Sequence, residues 1–239
     1  MSTKMNKIFL TGDTHIPTDI HKLNSFNFAE GKTLTKNDYV IVLGDFGLLW
    51  EVNTTSEENF WKNWLNNKPW TTLFIDGNHE NFHRLNNLNT TNMFGGKVGI
   101  VSDSIYHLKR GEIYTINNKT FFCMGGASSH DKQHRKEFIS WWKEEVPNNK
   151  EFENGLNNLD KVNWNIDCIL SHDGPSFISK SLYNNFTSVE ARLNSPLLDF
   201  FDVLYEKCSF KEWYCGHHHV DKKIKKVNIL FDTVKKLKE

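Results

Sequence analysis

The feature that most constrains the fold is a series of short apolar segments, each ending in a polar turn. Five of them lie at residues 8–10, 39–43, 73–75, 166–170 and 213–215. These segments are continuously apolar rather than alternating, which predicts strands that are buried on both faces. Strands of this kind belong to parallel sheets that are covered by helices. We therefore expect an α/β fold.

Segments with helical periodicity lie between these strands and predict amphipathic helices at residues 57–66, 150–162 and 195–207. The last of them opens with Ser195 and Pro196, which is a common helix start. Proline has no backbone N–H, but an N–H in the first turn of a helix would have no hydrogen-bond partner within the helix, so nothing is lost.

The middle of the chain has a different pattern, with closely spaced strands predicted at residues 97–101, 105–108, 112–116 and 119–124. Asn117 and Asn118 suit a hairpin turn between the last two. We expect an antiparallel portion inserted among the α/β units. Residues 222–234 predict one or two edge strands, whose lysines discourage further pairing.

Length and charge narrow the class of protein. The chain has 239 residues without a linker-like stretch, which favours a single domain. Lys+Arg and Asp+Glu both number 29, so we expect no broad basic surface for long nucleic acids or anionic membranes.

No apolar stretch has the length of a signal peptide or a membrane span. The four scattered cysteines predict buried free thiols, and we expect a cytoplasmic protein.

Side chains that can bind metals follow each of the five strands: Asp13 and His15, Asp45, Asn78 and His79, His172, and finally His217 and His219. Because the carboxyl ends of parallel strands share one edge, where ligands bind, we expect these side chains to converge. One such residue alone would usually be an ordinary turn residue. The whole set, with its Asp-x-His and His-x-His pairs, indicates a metal site instead. Oxygen and imidazole donors without a thiolate suit Mn²⁺, Fe, Zn²⁺ or Mg²⁺.

The short blocks around these residues resemble those of the calcineurin-like metallophosphoesterases. They read Gly12-Asp13-Thr14-His15, Gly44-Asp45, Gly77-Asn78-His79-Glu80, Ser171-His172 and Gly216-His217-His218-His219, in the family's order. Each block is short, but the five together are specific. The resemblance implies a four-layer α/β/β/α sandwich in which residues 1–239 form one metallophosphoesterase domain, with a dimetal site at the edge of the central sheets.

The same resemblance implies which residues hold two divalent cations, with Mn²⁺ as the first choice. Asp13, His15, Asp45 and His219 would bind one cation, and Asp45, Asn78, His172 and His217 the other, so that Asp45 bridges them. Two cations about 3.5–4 Å apart can polarise a phosphoryl oxygen and generate hydroxide for in-line attack on phosphorus. His79 would protonate the leaving oxygen or stabilise charge on the phosphoryl group. The implied activity is hydrolysis of a small phosphomonoester or phosphodiester.

The second block departs from the pattern of many relatives, in which an aspartate that orients the catalytic histidine is followed by an arginine that binds phosphate. Leu48 and Leu49 stand in this region of the chain and can do neither. Asp76 and Glu80 are the nearby carboxylates that could orient His79 instead. The departure argues against a protein Ser/Thr phosphatase.

The substrate must then be held by other residues, and the few arginines are the first candidates because a planar guanidinium matches phosphate better than an ammonium does. Arg84 follows the Gly-Asn-His turn, while Arg135 lies in a polar, glycine-led stretch that also contains His130 and His134. The ordinary alternative for each arginine is a surface salt bridge. We hypothesise that Arg135, with His130 or His134, lines the mouth of the substrate site.

Two other functions stay open at this point. A nuclease or nucleotide-processing phosphodiesterase would use the same metal chemistry, although the neutral net charge weighs against long nucleic acids. A binding or scaffold protein could keep the fold without turnover. The complete set of ligand types, together with His79, argues against that second alternative.

Overall fold

Two β-sheets organise the part of the chain that the computed structural model describes, residues 6–183 and 195–238. The first sheet contains β1 (Ile8–Thr11), β2 (Tyr39–Leu43), β3 (Thr71–Ile75), β4 (Thr90–Met93), β5 (Gly96–Ser102), β6 (Ile105–Leu108) and β13 (Lys235–Lys236). The second contains β7 (Glu112–Ile116), β8 (Lys119–Met124), β9 (Cys168–Ser171), β10 (Glu212–Cys215), β11 (Lys222–Ile224) and β12 (Val227–Ile229).

Each sheet has a parallel centre with antiparallel strands at its flanks. The first runs in the order β13-β1-β2-β3-β6-β5-β4, with β1, β2, β3 and β6 parallel. The second runs in the order β11-β12-β10-β9-β8-β7, with β12, β10, β9 and β8 parallel. The parallel strands therefore present their carboxyl ends together, as a ligand site at one edge of the sheets requires.

The helices are α1 (Ser56–Asn66), α2 (Phe82–Asn86), α3 (Asn149–Lys161), α4 (Ser176–Leu182) and α5 (Pro196–Lys207). Short 3-10 helices cover Ile20–Leu23, Ala29–Thr33, Lys132–His134 and Lys143–Glu145. Local sequence sets several of these ends. The Thr55 side chain caps α1 by accepting from the Glu58 amide, and Asn148 and Glu151 form a capping box at the start of α3. Among the described residues, none of the helices has the length and apolar character needed to cross a membrane.

Three hydrophobic clusters separate the layers. Alternation along β1 turns Phe9 outward, into a cluster that includes Trp61 of α1, and turns Leu10 inward, into a cluster shared with Phe121 of the second sheet. A third cluster joins the opposite face of the second sheet to α3 and α5. The order of layers is that of the α/β/β/α sandwich expected from the sequence.

Most predicted elements are confirmed. The three predicted helices agree with α1, α3 and α5 to within one residue at each end. Asn117 and Asn118 turn between β7 and β8 with φ angles of 54° and 58°, the left-handed pair that a tight hairpin needs. The four cysteines are buried free thiols, as predicted.

Two expectations about strand placement hold only in part. The antiparallel pairs β5–β6 and β7–β8 are present as predicted, but the first pair belongs to the first sheet and the second pair to the second. The tail is not confined to edges either, since β12 is fully buried between β10 and β11 and pairs parallel with β10. Strand β4 was not expected, because its exposed polar residues carry no apolar signal. Local periodicity predicts a strand but does not identify its neighbour.

Candidate metal centre

The loops that follow β1, β2, β3, β9 and β10 meet at the carboxyl ends of the two parallel sheets. Three groups of side chains there have ligand atoms within 4.8 Å of one another: Asp13, His15 and His219; Asp13, Asp45 and His172; and Asp173, His217 and His218. The structure thus brings together the residues that the sequence scatters from position 13 to position 219, and it adds Asp173 to them.

Asp45 lies at the centre of these contacts. One carboxylate oxygen is 3.2 Å from Nε2 of His15, and the other is 3.3 Å from Nε2 of His172. Asn78 directs its Oδ1 to the same His172 nitrogen at 3.2 Å. Burial alone would raise the pKa of Asp45, but the neighbouring His172 and His15 outweigh it and hold that pKa well below its ordinary value.

The carboxylates in turn stabilise positive charge at this place. Burial would lower the pKa of both imidazoles, yet Asp45 and Asp13 raise the pKa of His172 to about 10, and Asp45 leads in raising that of His15 to about 9. A divalent cation would meet the same electrostatic demand, with the histidines then neutral and acting as ligands.

Further features of the cluster fit a metal ion. Oδ2 of Asp13 is buried and accepts no well-directed hydrogen bond from the described residues, although Nε2 of His219 lies 3.0 Å away. Nδ1 of His15 is 2.7 Å from Asp19, and Nδ1 of His172 is 2.7 Å from the Leu43 carbonyl. Metal-binding histidines are commonly oriented in this way, which leaves the other ring nitrogen free for the metal.

The backbone around the cluster is strained in a consistent way. His15, Asp45, His217 and His219 all have positive φ angles, of 32°, 45°, 65° and 50°. Non-glycine residues adopt this region rarely, and four of them meet at this cluster. Gly77 approaches so closely that a Cβ there would collide with the Asp45 carboxylate.

His79 lies beside these ligand atoms, with its Nε2 4.0 Å from Asp45, and its partner is Arg135. Nη1 of Arg135 is 3.0 Å from Nδ1, and Nη2 is 3.4 Å from Nε2. A single guanidinium therefore contacts both ring nitrogens of His79. Burial lowers the pKa of His79, and the charge of Arg135 acts in the same direction while Asp45 opposes it.

Neither carboxylate expected to orient His79 does so. Asp76 is buried against His107 and Arg110, with contacts of 2.9 Å and 2.7 Å. Glu80 accepts a hydrogen bond from the Phe46 amide, and burial followed by the nearby Asp45 raises its pKa to about 8. Arg135 was predicted to line the substrate site but not to contact His79, because its loop joins β8 to α3, far along the chain from β3.

A cleft of about 150 Å³ opens over this site, lined by Asp45, Asn78, His79, His130, Asp131, Arg135, Tyr183, His217, His218 and His219. Of the predicted substrate residues, Arg135 and His130 line it. His134 is exposed and is not part of the lining.

Arg84 also lies outside the cleft, and it requires a correction. Its guanidinium makes two hydrogen bonds to the Glu58 carboxylate, at 2.5 Å and 2.8 Å, and a third to the carbonyl of Glu51. This is the salt bridge that was the ordinary alternative for an arginine, although it is more buried than a surface pair. It ties α2 to α1 and turns the fork away from the metal-binding cluster.

His218, the residue between the two predicted ligands, is buried and faces Asp173. Its Nε2 is 3.2 Å from that carboxylate, and its Nδ1 is 3.2 Å from the Tyr183 hydroxyl. The sequence singled out neither Asp173 nor Tyr183. Asp173 directly follows His172, and its position next to a histidine at the end of a strand could have identified it as part of the site. Asp19 lies four residues after His15 and could have been identified in a similar way.

The chain belongs to the calcineurin-like phosphoesterase family, whose family model matches residues 6–221. Membership implies metal-dependent hydrolysis of phosphoesters, and the groups of ligand atoms described above are consistent with metal binding. A comparison with curated proteins gives no match.

Proposed function

We propose that this protein hydrolyses a small phosphomonoester or phosphodiester with two divalent cations, Mn²⁺ foremost, held at the cluster around Asp45. Asp13, His15, Asp45 and His219 would hold one cation, and Asp45, Asn78, His172 and His217 the other. The observation that carries the proposal is the convergence of carboxylate and imidazole donors on Asp45, directly beside a histidine whose ring nitrogens contact an arginine.

Bound cations would supply Lewis-acid activation of the phosphoryl group and of the attacking water. Asp45 suits the bridging position because its two oxygens already face opposite histidines, His15 and His172. The Nδ1 contacts of those histidines, to Asp19 and to the Leu43 carbonyl, keep the two Nε2 atoms aimed at the centre of the cluster.

Arg135 would bind the phosphoryl oxygens, in the role that an arginine in the second block has in many relatives. Its Nε is held by Asp131 at 2.8 Å, which leaves Nη1 and Nη2 on the side of His79 and the cleft. Two parallel N–H groups match two phosphoryl oxygens. His79 would then face the leaving oxygen, where a ring nitrogen donates a hydrogen bond or a proton.

A nucleotide is the second candidate substrate. Tyr183 lines the cleft, and the ring of Trp50 lies 6.0 Å from that of His79. Aromatic rings near a phosphoryl site can stack on a nucleobase. The four buried free cysteines support the further prediction that the protein works in the reducing cytoplasm.

The proposal is tested with p-nitrophenyl phosphate, bis-p-nitrophenyl phosphate and a panel of nucleotides. Each is assayed with Mn²⁺, Mg²⁺, Zn²⁺ or Fe²⁺ and again after chelation. We expect turnover that disappears with chelator and returns with added metal. Protein that binds two metal ions but turns over none of these substrates would favour the scaffold alternative. Protein that binds no metal would refute the proposal.

A further inference from the structure

A buried chain of hydrogen bonds connects Asn78 to the loop between β8 and α3. Nδ2 of Asn78 donates to Oγ of Ser129 at 3.1 Å, and that hydroxyl donates to Oε2 of Glu145 at 2.6 Å. The backbone N–H of Ser129 donates to the other oxygen, Oε1, at 2.9 Å. All three side chains are buried, with exposed fractions of 5%, 3% and 2%.

The direction of each hydrogen bond in this chain follows from the one before it. The backbone N–H and the hydroxyl of Ser129 both donate to Glu145, so the single hydroxyl proton points to that carboxylate. The hydroxyl then has only lone pairs left for Asn78, and the amide must turn its NH₂ group toward it. Burial raises the pKa of Glu145, while hydrogen bonds from the Ser129 hydroxyl, from Trp141 and from the Ser129 amide act against that shift.

The consequence for Asn78 is a fixed amide orientation. With Nδ2 held by Ser129, Oδ1 must face the cluster, where it lies 3.2 Å from Nε2 of His172. An amide binds a cation through its carbonyl oxygen, and the flipped amide would present two hydrogens to the cation instead. Without Ser129, the two orientations would differ little in shape and much in metal binding.

The loop that carries this chain is itself anchored. Ala127 donates to the Glu145 carbonyl at 3.1 Å, and Gly126 donates to the Asp76 carbonyl at 2.9 Å. Arg110, paired with Asp76, also donates to the Glu144 carbonyl at 2.9 Å. Ser129 and Glu145 are therefore held at a set position relative to the end of β3, which precedes Asn78.

We propose that Ser129 and Glu145 are positioning residues that set the Asn78 amide with its oxygen toward the second cation. The inference rests on the proposed function, because it assumes that Asn78 is a metal ligand. It predicts that metal affinity depends on which group donates in the hydrogen bond between Ser129 and Glu145. This should hold even when the substituted side chain keeps its size and shape.

Glu145→Gln is the sharpest test, since it changes one oxygen to nitrogen. The Ser129 N–H keeps the glutamine oxygen at the Oε1 position, so the new NH₂ group must face the Ser129 hydroxyl. That reverses the hydrogen bond between the Ser129 hydroxyl and residue 145. The hydroxyl is then free to donate to Asn78, whose amide is no longer fixed. Metal-free protein is titrated with Mn²⁺ by calorimetry. We expect two sites in the wild type and about 10-fold or greater weakening at one of them in the variant, as is common for residues that orient metal ligands.

Serine variants give an independent measurement and the controls. Ser129→Ala should weaken the same site, and Ser129→Thr, which keeps the hydroxyl, should restore most of the affinity. Ser128→Ala is the matched control, because the Ser128 hydroxyl has no part in this chain, and it should bind both ions like the wild type. Thermal unfolding of the metal-free proteins identifies any variant that has lost its fold, in which case the remaining variants decide.

Coupling to Asn78 separates positioning from a merely structural role. Asn78→Asp ends in two acceptor oxygens, so it conflicts with a hydroxyl that already donates to Glu145. The double variant Asn78→Asp with Glu145→Gln removes that conflict, and it should bind Mn²⁺ more tightly than the product of the two single losses predicts.

The outcomes of this experiment are distinct. Wild-type protein that takes up no Mn²⁺ would overturn both the proposed function and the positioning role. Wild-type protein with two sites, together with Glu145→Gln and Ser129→Ala variants of unchanged affinity, would overturn the positioning role alone. If the losses of Mn²⁺ affinity were additive in the double variant, the hydrogen bonds from Asn78 to Glu145 would have only a structural role.

Discussion

Replacement of Arg135 is the most direct test of how the phosphoryl group is held. The guanidinium is fixed by Asp131 and by the Ser140 carbonyl, at 2.8 Å and 3.2 Å, and its side chain is only 19% exposed. Its fork therefore needs little ordering when substrate binds. A hydrogen bond to a charged group contributes about 1.5–3 kcal/mol, so the loss of one or two such bonds corresponds to about 3 kcal/mol. At about 1.4 kcal/mol per factor of ten, Arg135→Ala should lower kcat/KM by roughly 100-fold.

The assay is steady-state hydrolysis of the preferred p-nitrophenyl ester at saturating Mn²⁺, with the metal content measured in parallel. Arg135→Lys should recover part of the loss, because it keeps the charge but not the two parallel donors. Arg84→Ala is the matched control. It removes the same group from a position bound to Glu58, so kcat/KM should change less than about threefold, while the buried Glu58 carboxylate loses its partner and the melting temperature falls.

One result would refute the reasoning. If Arg135→Ala kept its metal and its kcat/KM, Arg135 would not hold the phosphoryl group. The cleft lined by Arg135 would then not be the substrate site.

Three further outcomes follow from the site and the core. Asp45→Asn should abolish turnover and lower the metal content, measured by elemental analysis, because both cations are proposed to share that carboxylate. His79→Ala should keep its metal while turnover falls by about 10²–10⁴-fold; a metal-free His79 variant would show that the histidine is a ligand. Burial lowers the pKa of His107 from 6.5 to about 4. Its folded-state pKa is therefore depressed, and the stability it contributes is complete above pH 6.5 and is lost as the pH falls toward 4. The shift corresponds to about 3 kcal/mol. The variant His107→Gln keeps a donor for Asp76, and its melting temperature should fall less than that of the wild type between pH 6.5 and pH 4. Identical melting temperatures of the variant and the wild type across this range would contradict the role given to His107.

The strand ends were predictable because their signal is local. A continuous apolar segment followed by glycine and a polar residue predicts a buried strand and the turn that follows it, and the rest of the chain is not needed for this prediction. Asp13, Asp45 and His172 were found in this way, and parallel strands necessarily bring such turns to one edge. The exposed polar strand Thr90–Met93 has no such signal and was missed.

The residues around the metal-binding cluster depended on contacts between distant segments. In the sequence, Arg84 and Arg135 were both candidates for binding phosphate, and only Arg135 was hypothesised to line the mouth of the substrate site. Packing of α2 against α1 pairs the first with Glu58, and the loop after β8 brings the second onto His79. A local pattern records which face of an element is buried, but it does not record which distant side chain will meet that face.

The sequence by itself therefore determined the fold class, the family and the set of donor side chains, because each depends on short segments whose order is enough to identify them. Only the tertiary structure decided what surrounds those donors. Arg135 contacts the His79 ring nitrogens, and Ser129 with Glu145 turns the Asn78 amide. The physical reason is that hydrogen-bond direction and charge pairing depend on distances of about 3 Å between groups far apart in the chain, and the packing of the two sheets and their loops sets those distances.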